Sequence, residues 1–424
     1  MIPNRFVAID FGSTQISVMA AEVLKDGFVK ILGVETKPSE DVRYGIIEQG
    51  SGAAFKLNEL LKMLENSARL KDVDYISVSV GAKSMKNVAV NISRMVGASK
   101  VISSQLIDDM LAEAEAKVKG TNAAVYDVIP LYYELDGMRT DEPEGKQAVQ
   151  IVGRYNIIYG NKIIAEKLEG CIERTGKIIE YRCLGIDAIA TAVLDEHEKE
   201  EGCVLIDMGG QTTTMAVYKY GALQNMVVVP LGGVNITKDI QEFGIAERNA
   251  ERLKCAVGKA LETLIDKEIL VAVPSVNPDE PQVKVSTRIL SMAIEARLED
   301  MMDPLFDAIE KMEEELPHGV ILTGGASALS GLVDYINSRF GYDVRFGNFN
   351  DWLHDDTDTA FRNPAYTRMV GTILLNHEYR EQHPLAEVEN NKQKKKNAKL
   401  PGGSIRNKTA EIFKGFFGDD NQLE

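Results

Sequence analysis

Two short segments of the chain combine a strand-like apolar run with aspartate, glycine and hydroxyl residues, the types that can bind phosphate and a metal ion. The first runs from Phe6 to Thr14 (FVAIDFGST), and the second runs from Val204 to Thr212 (VLIDMGGQT). In both, Asp-x-Gly follows the apolar run directly. The repeated pattern predicts a site for a nucleoside triphosphate with Mg²⁺.

The residue types in these motifs suit the binding of phosphate and Mg²⁺ for physical reasons. Backbone N–H groups must come close to phosphate oxygens, and only glycine or small residues permit that approach. Asp10 and Asp207 are predicted to hold Mg²⁺ through water, because this hard ion prefers oxygen ligands. One Asp-x-Gly alone is typical of an ordinary hairpin turn, whereas two copies with a further Gly-Gly pair at Gly324 favour the nucleotide site. The predicted phosphate cradles are Gly12, Ser13 and Thr14 on one side, and Gly209, Gly210, Gln211 and Thr212 on the other.

The elements around the motifs predict how they are positioned. A strand-like stretch follows each motif, from Gln15 to Ala21 and from Thr213 to Tyr218. The glycine turn therefore joins a β-hairpin and does not open a helix, unlike a Rossmann or Walker loop. Two such units half a chain apart predict a duplicated α/β fold whose motifs face each other across a cleft.

Weaker periodicities predict the remaining elements. Residues 82–168 have the pattern of a small α+β insert, with a helix predicted over 105–118 between strands at 88–92, 125–135 and 149–158. Apolar residues at helical spacing predict helices over 246–264 and 289–312.

Composition limits the classes of function. At 424 residues the chain should hold two or more packed domains, and a formal net charge of −16 argues against nucleic acid as a partner. Four cysteines lack CxxC spacing, and the N-terminal sequence lacks a signal-peptide pattern, so a reducing cytoplasm is expected. Every apolar run is too short to cross a bilayer.

The C-terminal sequence changes character. Between Asn390 and Lys408 lie seven basic residues and no acidic ones, which predicts a disordered linker over 386–408. The segment 409–424 is predicted to form an amphipathic helix that lies in a membrane interface. Alternatively, Phe416 and Phe417 dock on the protein itself. The apolar face of this helix consists of Ile412, Phe413, Phe416 and Phe417.

With both phosphate motifs and the glycine pair, the chain resembles the actin-like ATPase superfamily. The resemblance implies that Gly324, Gly325 and Ala326 lie along the adenosine of ATP. It also assigns Gly232 and Gly233 to the nucleotide, and Glu251 and Lys254 to the ribose or base. A solvent-exposed ion pair at i, i+3 is the alternative for Glu251 and Lys254.

Within this superfamily the chain most resembles the FtsA family of bacterial cell-division proteins. The resemblance lies in Ile76–Gly81 before the insert, in Val273–Val276 and in Asn363–Gly371, besides the tail. It implies subdomain IA at 1–81 and 169–200, the insert IC at 82–168, IIA at 201–240 and 319–385, and IIB at 241–318.

The same resemblance implies partners and a location. The C-terminal peptide of the tubulin-like protein FtsZ is expected to dock on 241–318, where Arg288 and Arg297 could pair with its carboxylates. A solvated helix face is the alternative for these arginines. Other implied partners are further copies in a filament, later division proteins and the inner membrane, at whose cytoplasmic face the protein would act at the division site.

Departures from the superfamily pattern predict slow ATP turnover or none. Gln211 stands where many members have a third glycine, and Thr214 where many have an acid. The residue that orients the attacking water falls at Asp187, for which a helix N-cap is the alternative. Rival functions are a sugar kinase, a heat-shock chaperone and a pilus-assembly adaptor of the PilM type.

Overall fold

A computed structural model describes residues 4–71, 73–118, 120–277, 279–312 and 314–383. The predicted linker and the predicted membrane helix, with Ile412, Phe413, Phe416 and Phe417, lie outside the described residues. The chain divides into two compact units. One is built from residues 4–86 and 161–377, and the other from 87–160 with 378–383.

The elements are numbered along the chain. The N-terminal segment contains β1 (Arg5–Phe11), β2 (Gln15–Val23), β3 (Val29–Pro38), β4 (Val42–Arg43), β5 (Ile46–Ile47), α1 (Gly50–Ser67) and β6 (Tyr75–Val80). Next come β7 (Lys86–Val101), α2 (Ser104–Glu115), β8 (Ala123–Leu135), β9 (Met138–Thr140) and β10 (Gln147–Asn161). The chain continues with α3 (Ile163–Glu173), β11 (Ile178–Leu184), α4 (Gly185–Val193), α5 (Glu196–Glu201), β12 (Cys203–Met208), β13 (Thr213–Lys219) and β14 (Ala222–Val229).

The remaining elements begin after the second hairpin. They are α6 (Gly233–Gln241), α7 (Glu247–Val257), β15 (Leu270–Val273), β16 (Val283–Ser286), α8 (Thr287–Glu310), β17 (Val320–Thr323), α9 (Leu332–Phe340), β18 (Val344–Phe346) and α10 (Thr367–Gln382). Within the described residues, none of these helices combines the length and the apolar character needed to cross a membrane.

The larger unit contains two five-stranded sheets of the same topology. Their strand orders are β11-β6-β1-β2-β3 and β14-β13-β12-β17-β18. In each sheet the first hairpin strand pairs antiparallel with the second, and the second with the third. On its other side the first hairpin strand pairs in parallel with a later strand, β6 or β17. The structure therefore confirms the predicted duplication and both predicted hairpins.

Helices cover these sheets, which explains why the central strands are apolar on both faces. All six residues of β12 are buried. Helix α8 packs against this sheet through an apolar face that includes Leu290, Ile294 and Leu298. These side chains share one hydrophobic core with residues of β12, β13 and β17. Burial of each such side chain contributes roughly 1.5–3 kcal/mol. The packing fixes the position of the strand ends that carry the motifs.

The smaller unit is a four-stranded sheet of order β7-β10-β8-β9 with α2. Ser103 caps α2 by accepting a hydrogen bond from Leu106 N at 3.3 Å. Ile107 and Met110 of α2 pack in a core that also contains Tyr133 and Tyr155.

One predicted helix is shorter than expected. The helix predicted over 246–264 ends at Val257, and only a 3-10 turn, Glu262–Leu264, follows. After Gly258 the backbone is extended, and Ala260 N donates to Ser330 O at 2.8 Å. A hydrogen bond to a distant segment thus replaces the helical bond there.

Candidate functional site

The two predicted aspartates occupy equivalent positions in the two sheets. Asp10 is the penultimate residue of β1 and pairs with Ser17 across its hairpin. Asp207 is the penultimate residue of β12 and pairs with Thr214. Because the two hairpins have the same geometry, both carboxylates emerge at the glycine end of a buried strand.

An arginine joins these two carboxylates. Arg368, the second residue of α10, donates from Nη1 to Asp10 Oδ1 at 3.2 Å and from Nη2 to Asp207 Oδ2 at 2.7 Å. Burial opposes the charge of the guanidinium, but the two carboxylates outweigh this effect and raise the pKa of Arg368 above its ordinary value. The pKa of Asp10 is also raised, because burial and the charge of Asp207 outweigh the opposing effect of Arg368.

Arg368 was missed by the sequence analysis. It lies in the run Asn363–Gly371, which drew attention only through its resemblance to a family. No spacing or periodicity in the sequence connects residue 368 with Asp10 or Asp207. As arranged, the aspartate pair does not fit the predicted Mg²⁺, since a positive group already lies between the carboxylates. Among the described residues there is also no cluster of three or more His, Cys, Asp or Glu that could hold a metal ion.

The two glycine turns face each other closely. A Cβ built on Gly210 would lie 2.6 Å from Thr14 Cγ2, so the second turn touches the first. The second turn is closed by a hydrogen bond from Gly209 N to Thr212 O at 2.9 Å. In the first turn, a Cβ on Gly12 would lie 2.7 Å from Gln15 O. Glycine is therefore required at Gly12 by the close approach of backbone, and at Gly210 it leaves room for the Thr14 side chain.

A cavity opens between these turns and brings most of the predicted residues together. Gly185 and Ile186 of α4 and the start of α10 line it as well. The predicted residues that line it are Asp10, Gly12, Ser13, Thr14, Asp207, Gly209, Gly210, Thr212, Gly324 and Gly325. The predicted residues outside its lining are Asp187, Gln211, Gly232, Gly233, Glu251, Lys254 and Ala326.

Some residues outside the lining support the second turn. Gly233 N donates to Gly209 O at 3.0 Å, and Val234 N donates to Gly210 O at 2.8 Å. A Cβ on Gly232 would lie 2.5 Å from Gly209 O. Gln211 reaches the other half of the unit, where its Oε1 accepts a hydrogen bond from Tyr44 N at 3.0 Å.

Glu251 and Lys254 form the ion pair that was the alternative to their nucleotide role. Lys254 Nζ lies 2.7 Å from Glu251 Oε2 and donates to Gly233 O at 3.0 Å. Thr237 hydrogen bonds to both side chains. Burial opposes the charge on Glu251, but the hydrogen bonds from Lys254 and Thr237 lower its pKa. The pair joins α7 to α6, and a contact with ribose or base stays a prediction.

Asp187 lies in the first turn of α4, whose N-cap is Leu184. The N-cap alternative is therefore wrong. The carboxylate is buried and accepts a hydrogen bond from Tyr218 Oη at 2.8 Å. Asp187 thus ties α4 to β13, and its role in orienting water stays a prediction.

The tyrosine contact yields a stability prediction. Tyr218→Phe should lower the free energy of unfolding by about 1–3 kcal/mol, because the buried carboxylate of Asp187 loses a donor. Urea unfolding measures the effect. Tyr220→Phe is the control at a half-exposed position, with an expected change within about 0.5 kcal/mol. Equal effects for the two variants would show that the Asp187 contact is not what stabilises α4.

The two predicted partner-binding arginines have carboxylate partners within the chain. Arg288 pairs with Glu262. Arg297 donates from Nε and Nη2 to the two oxygens of Asp239 at 2.6 and 2.8 Å, and from Nη1 to Asp300 at 2.9 Å. The hydrogen bonds to Asp239 raise the pKa of Arg297. These pairs fix both arginines on the surface of α8, and their role toward a peptide stays a prediction.

The chain matches known proteins in sequence. The family model described as "Cell division protein FtsA" matches residues 204–371. Cell division protein FtsA of Enterococcus hirae is 28% identical over 393 residues, which cover 90% of this chain and 85% of that protein. Cell division protein FtsA of Borreliella burgdorferi is 27% identical over 425 residues, with coverage of 96% and 99%. The chain is thus similar in sequence to FtsA proteins over most of its length.

Solved structures show that the fold of the chain is actin-like, as predicted. A PilM–PilN complex of type IV pilus biogenesis has a TM-score of 0.64 at 14% identity, with coverage of 88% of this chain and 98% of that one. MreB5 of Spiroplasma citri bound to ADP has a TM-score of 0.55 at 12% identity, with coverage of 91% and 99%. The likeness at such low identity concerns the fold alone.

Proposed function

We propose that this protein binds ATP between its two glycine turns and works as an actin-like cell-division protein. It polymerises on the cytoplasmic face of the inner membrane, anchors FtsZ filaments at the division septum and recruits later division proteins. The observation that carries the proposal is the meeting of two equivalent Asp-x-Gly hairpins at one cavity, in a chain related to FtsA.

Nucleotide binding is supported by the geometry of the cavity. Glycines from both hairpins and from the turn at Gly324 line it. Gly324 has φ +89°, and a Cβ there would lie 2.4 Å from Asp207 Oδ1, so the third turn is packed against the second motif. Glycine turns of this kind let the backbone come close to phosphate oxygens. A neighbour in fold, MreB5, was solved with ADP. Turnover is slow at most in this proposal, because Gln211 and Thr214 depart from the superfamily pattern.

Docking of the FtsZ peptide is supported by the surface of residues 241–318. Large apolar side chains of this stretch are exposed, and one of them, Ile289, directly follows Arg288 in α8; the set is Ile269, Leu270, Val276, Ile289 and Met292. Apolar groups next to paired charges are typical of a protein-binding surface. The acidic peptide expected from the family resemblance would meet Arg288 and Arg297 there.

Membrane attachment is proposed from the sequence of the tail. The amphipathic segment 409–424 and the basic residues before it suit an interface with anionic lipid. One tail binds weakly, and a filament carrying many tails binds through avidity. Polymerisation would thereby control residence at the membrane, while the smaller unit mediates contacts to neighbouring subunits and later division proteins.

Imaging a fluorescently tagged protein in dividing cells tests this function. The full-length protein should form a ring at midcell. A variant lacking residues 409–424 should stay diffuse while its purified form melts at the same temperature and binds ATP as the full-length protein does, because both five-stranded sheets and the cavity are formed by residues that the variant keeps. Foci that follow pilus sites would support a PilM-type adaptor. A ring formed equally by both proteins would contradict the anchor.

A further inference from the structure

The guanidinium of Arg368 lies between the two carboxylates that were predicted to hold Mg²⁺, one from each half of the cleft. Its two hydrogen bonds reach one carboxylate from each hairpin, Asp10 at 3.2 Å and Asp207 at 2.7 Å. A metal held between the same carboxylates, directly or through water, would lie within a few ångströms of this fixed positive charge. The repulsion between the two cations would disfavour binding of the metal.

The position of the arginine is built into the fold. Arg368 lies near the N-terminus of α10, and its Nε is 3.2 Å from the point that a Cβ on Gly185 would occupy. Glycine at the start of α4 therefore leaves room for the arginine side chain. Thr367, the neighbouring residue, is held by a hydrogen bond from its Oγ1 to Pro364 O at 2.8 Å. The side chain thus has a defined path from α10 to the two carboxylates.

The same guanidinium also lies at the predicted phosphate site. It lines the cavity together with Gly12, Gly209 and Gly324. A guanidinium has five N–H donors, of which the two bonds to Asp10 and Asp207 use two. Its planar fork matches phosphate oxygens, and the group stays charged at every physiological pH.

We propose that Arg368 supplies the positive charge that a divalent metal ion would otherwise bring to the nucleotide phosphates, so that this protein binds ATP without a divalent cation. The proposal rests on the ATP binding proposed above. Arg368 is a phosphate ligand in this scheme, and Asp10 and Asp207 hold its side chain in the cleft.

Calorimetric titration of ATP in EDTA and in Mg²⁺ tests the proposal on the full-length protein. Wild-type affinity should agree within about threefold between the two conditions. Arg368→Met removes the charge and keeps much of the volume, so its affinity in EDTA should fall at least about tenfold, and Mg²⁺ should restore most of the loss. Arg368→Lys keeps a positive charge but lacks the planar guanidinium. Its affinity for ATP in EDTA should therefore lie between the affinities of wild type and Arg368→Met.

Each outcome separates this proposal from the nucleotide function. A wild-type affinity that drops about tenfold or more on removal of Mg²⁺ overturns the role of Arg368 and leaves ATP binding intact. An Arg368→Met protein that binds ATP in EDTA as tightly as wild type overturns it too. Absence of ATP binding by wild type in both conditions refutes the proposed function itself.

Thermal melting with Mg²⁺ alone gives a second readout. Mg²⁺ should leave the melting temperature of wild type unchanged and raise that of Arg368→Met, in which the two carboxylates are freed for the metal. A shift in wild type as large as that in the variant counts against the proposal. Should Arg368→Met fail to fold, the ATP affinities of wild type in EDTA and in Mg²⁺ still test whether binding needs a divalent cation.

Discussion

Replacing Gly371 with alanine is expected to lower the free energy of unfolding by more than about 3 kcal/mol, and in the living cell to deplete the folded protein. A Cβ on Gly371 would lie 1.7 Å from Ala188 O and 2.4 Å from Ala188 C. Helices α10 and α4 therefore cross with their backbones in contact at this point. Since backbone atoms cannot rotate away as a side chain can, the two helices must separate, and with them the residues that position Arg368 and the cleft.

Urea unfolding of Gly371→Ala and of a matched control measures this effect. Gly170 is also a helical glycine, in α3, but a Cβ there would meet no atom within 4 Å. Gly170→Ala should therefore stabilise the protein by about 0.4–1 kcal/mol, because alanine restricts the unfolded chain and favours helix. A Gly371→Ala protein as stable as wild type would show that α4 and α10 do not cross this closely.

The sequence predicted the parts of the site that are encoded locally. An apolar run, Asp-x-Gly and a second strand specify a hairpin within some fifteen residues, and both hairpins have the predicted strands. The duplication then follows, because the two similar Asp-x-Gly motifs form two similar hairpins. Even the partial burial of Asp10 and Asp207 follows from their place near the end of a buried strand.

Contacts between distant segments were not predictable in the same way. The bond from Arg368 to Asp10 spans 358 positions, and nothing in the composition around either residue points to the other. The helix predicted over 246–264 failed for the same reason. Its apolar periodicity continues past Val257, but the backbone after Gly258 bonds to Ser330, which lies in another part of the chain. A one-dimensional pattern cannot show that a distant partner offers the better hydrogen bond.

The sequence also did not identify the residues that support the site without lining the cavity. The resemblance assigns Glu251 and Lys254 to the nucleotide, which stays a prediction, and the structure adds bonds from these residues that join α6 to α7. Lys254 still acts on the site indirectly, since its bond to Gly233 O helps hold the segment that packs on the second glycine turn. A charged residue such as Lys254 can therefore help to position a binding loop although it does not line the cavity.

The contact between the two glycine turns leads to a prediction with a built-in rescue. Gly210→Ala should weaken ATP binding by about 10- to 100-fold, because the added methyl would lie 2.6 Å from Thr14 Cγ2 and displaces either the Thr14 side chain or the turn in the predicted phosphate cradle. Thr14→Ser removes that methyl group and keeps the hydroxyl. The double variant should recover most of the lost affinity, and Thr14→Ser alone should bind ATP nearly as wild type does.

Titration of ATP with the three variants distinguishes this mechanism from simple loss of structure. A rescue specific to Thr14→Ser locates the defect at one pair of atoms, because no general stabilisation would follow from shortening a threonine. If Gly210→Ala binds ATP normally, the turns lie further apart in the nucleotide complex than here. If the double variant is as weak as Gly210→Ala, the glycine is needed for its own approach to phosphate, and the contact with Thr14 has no part in binding.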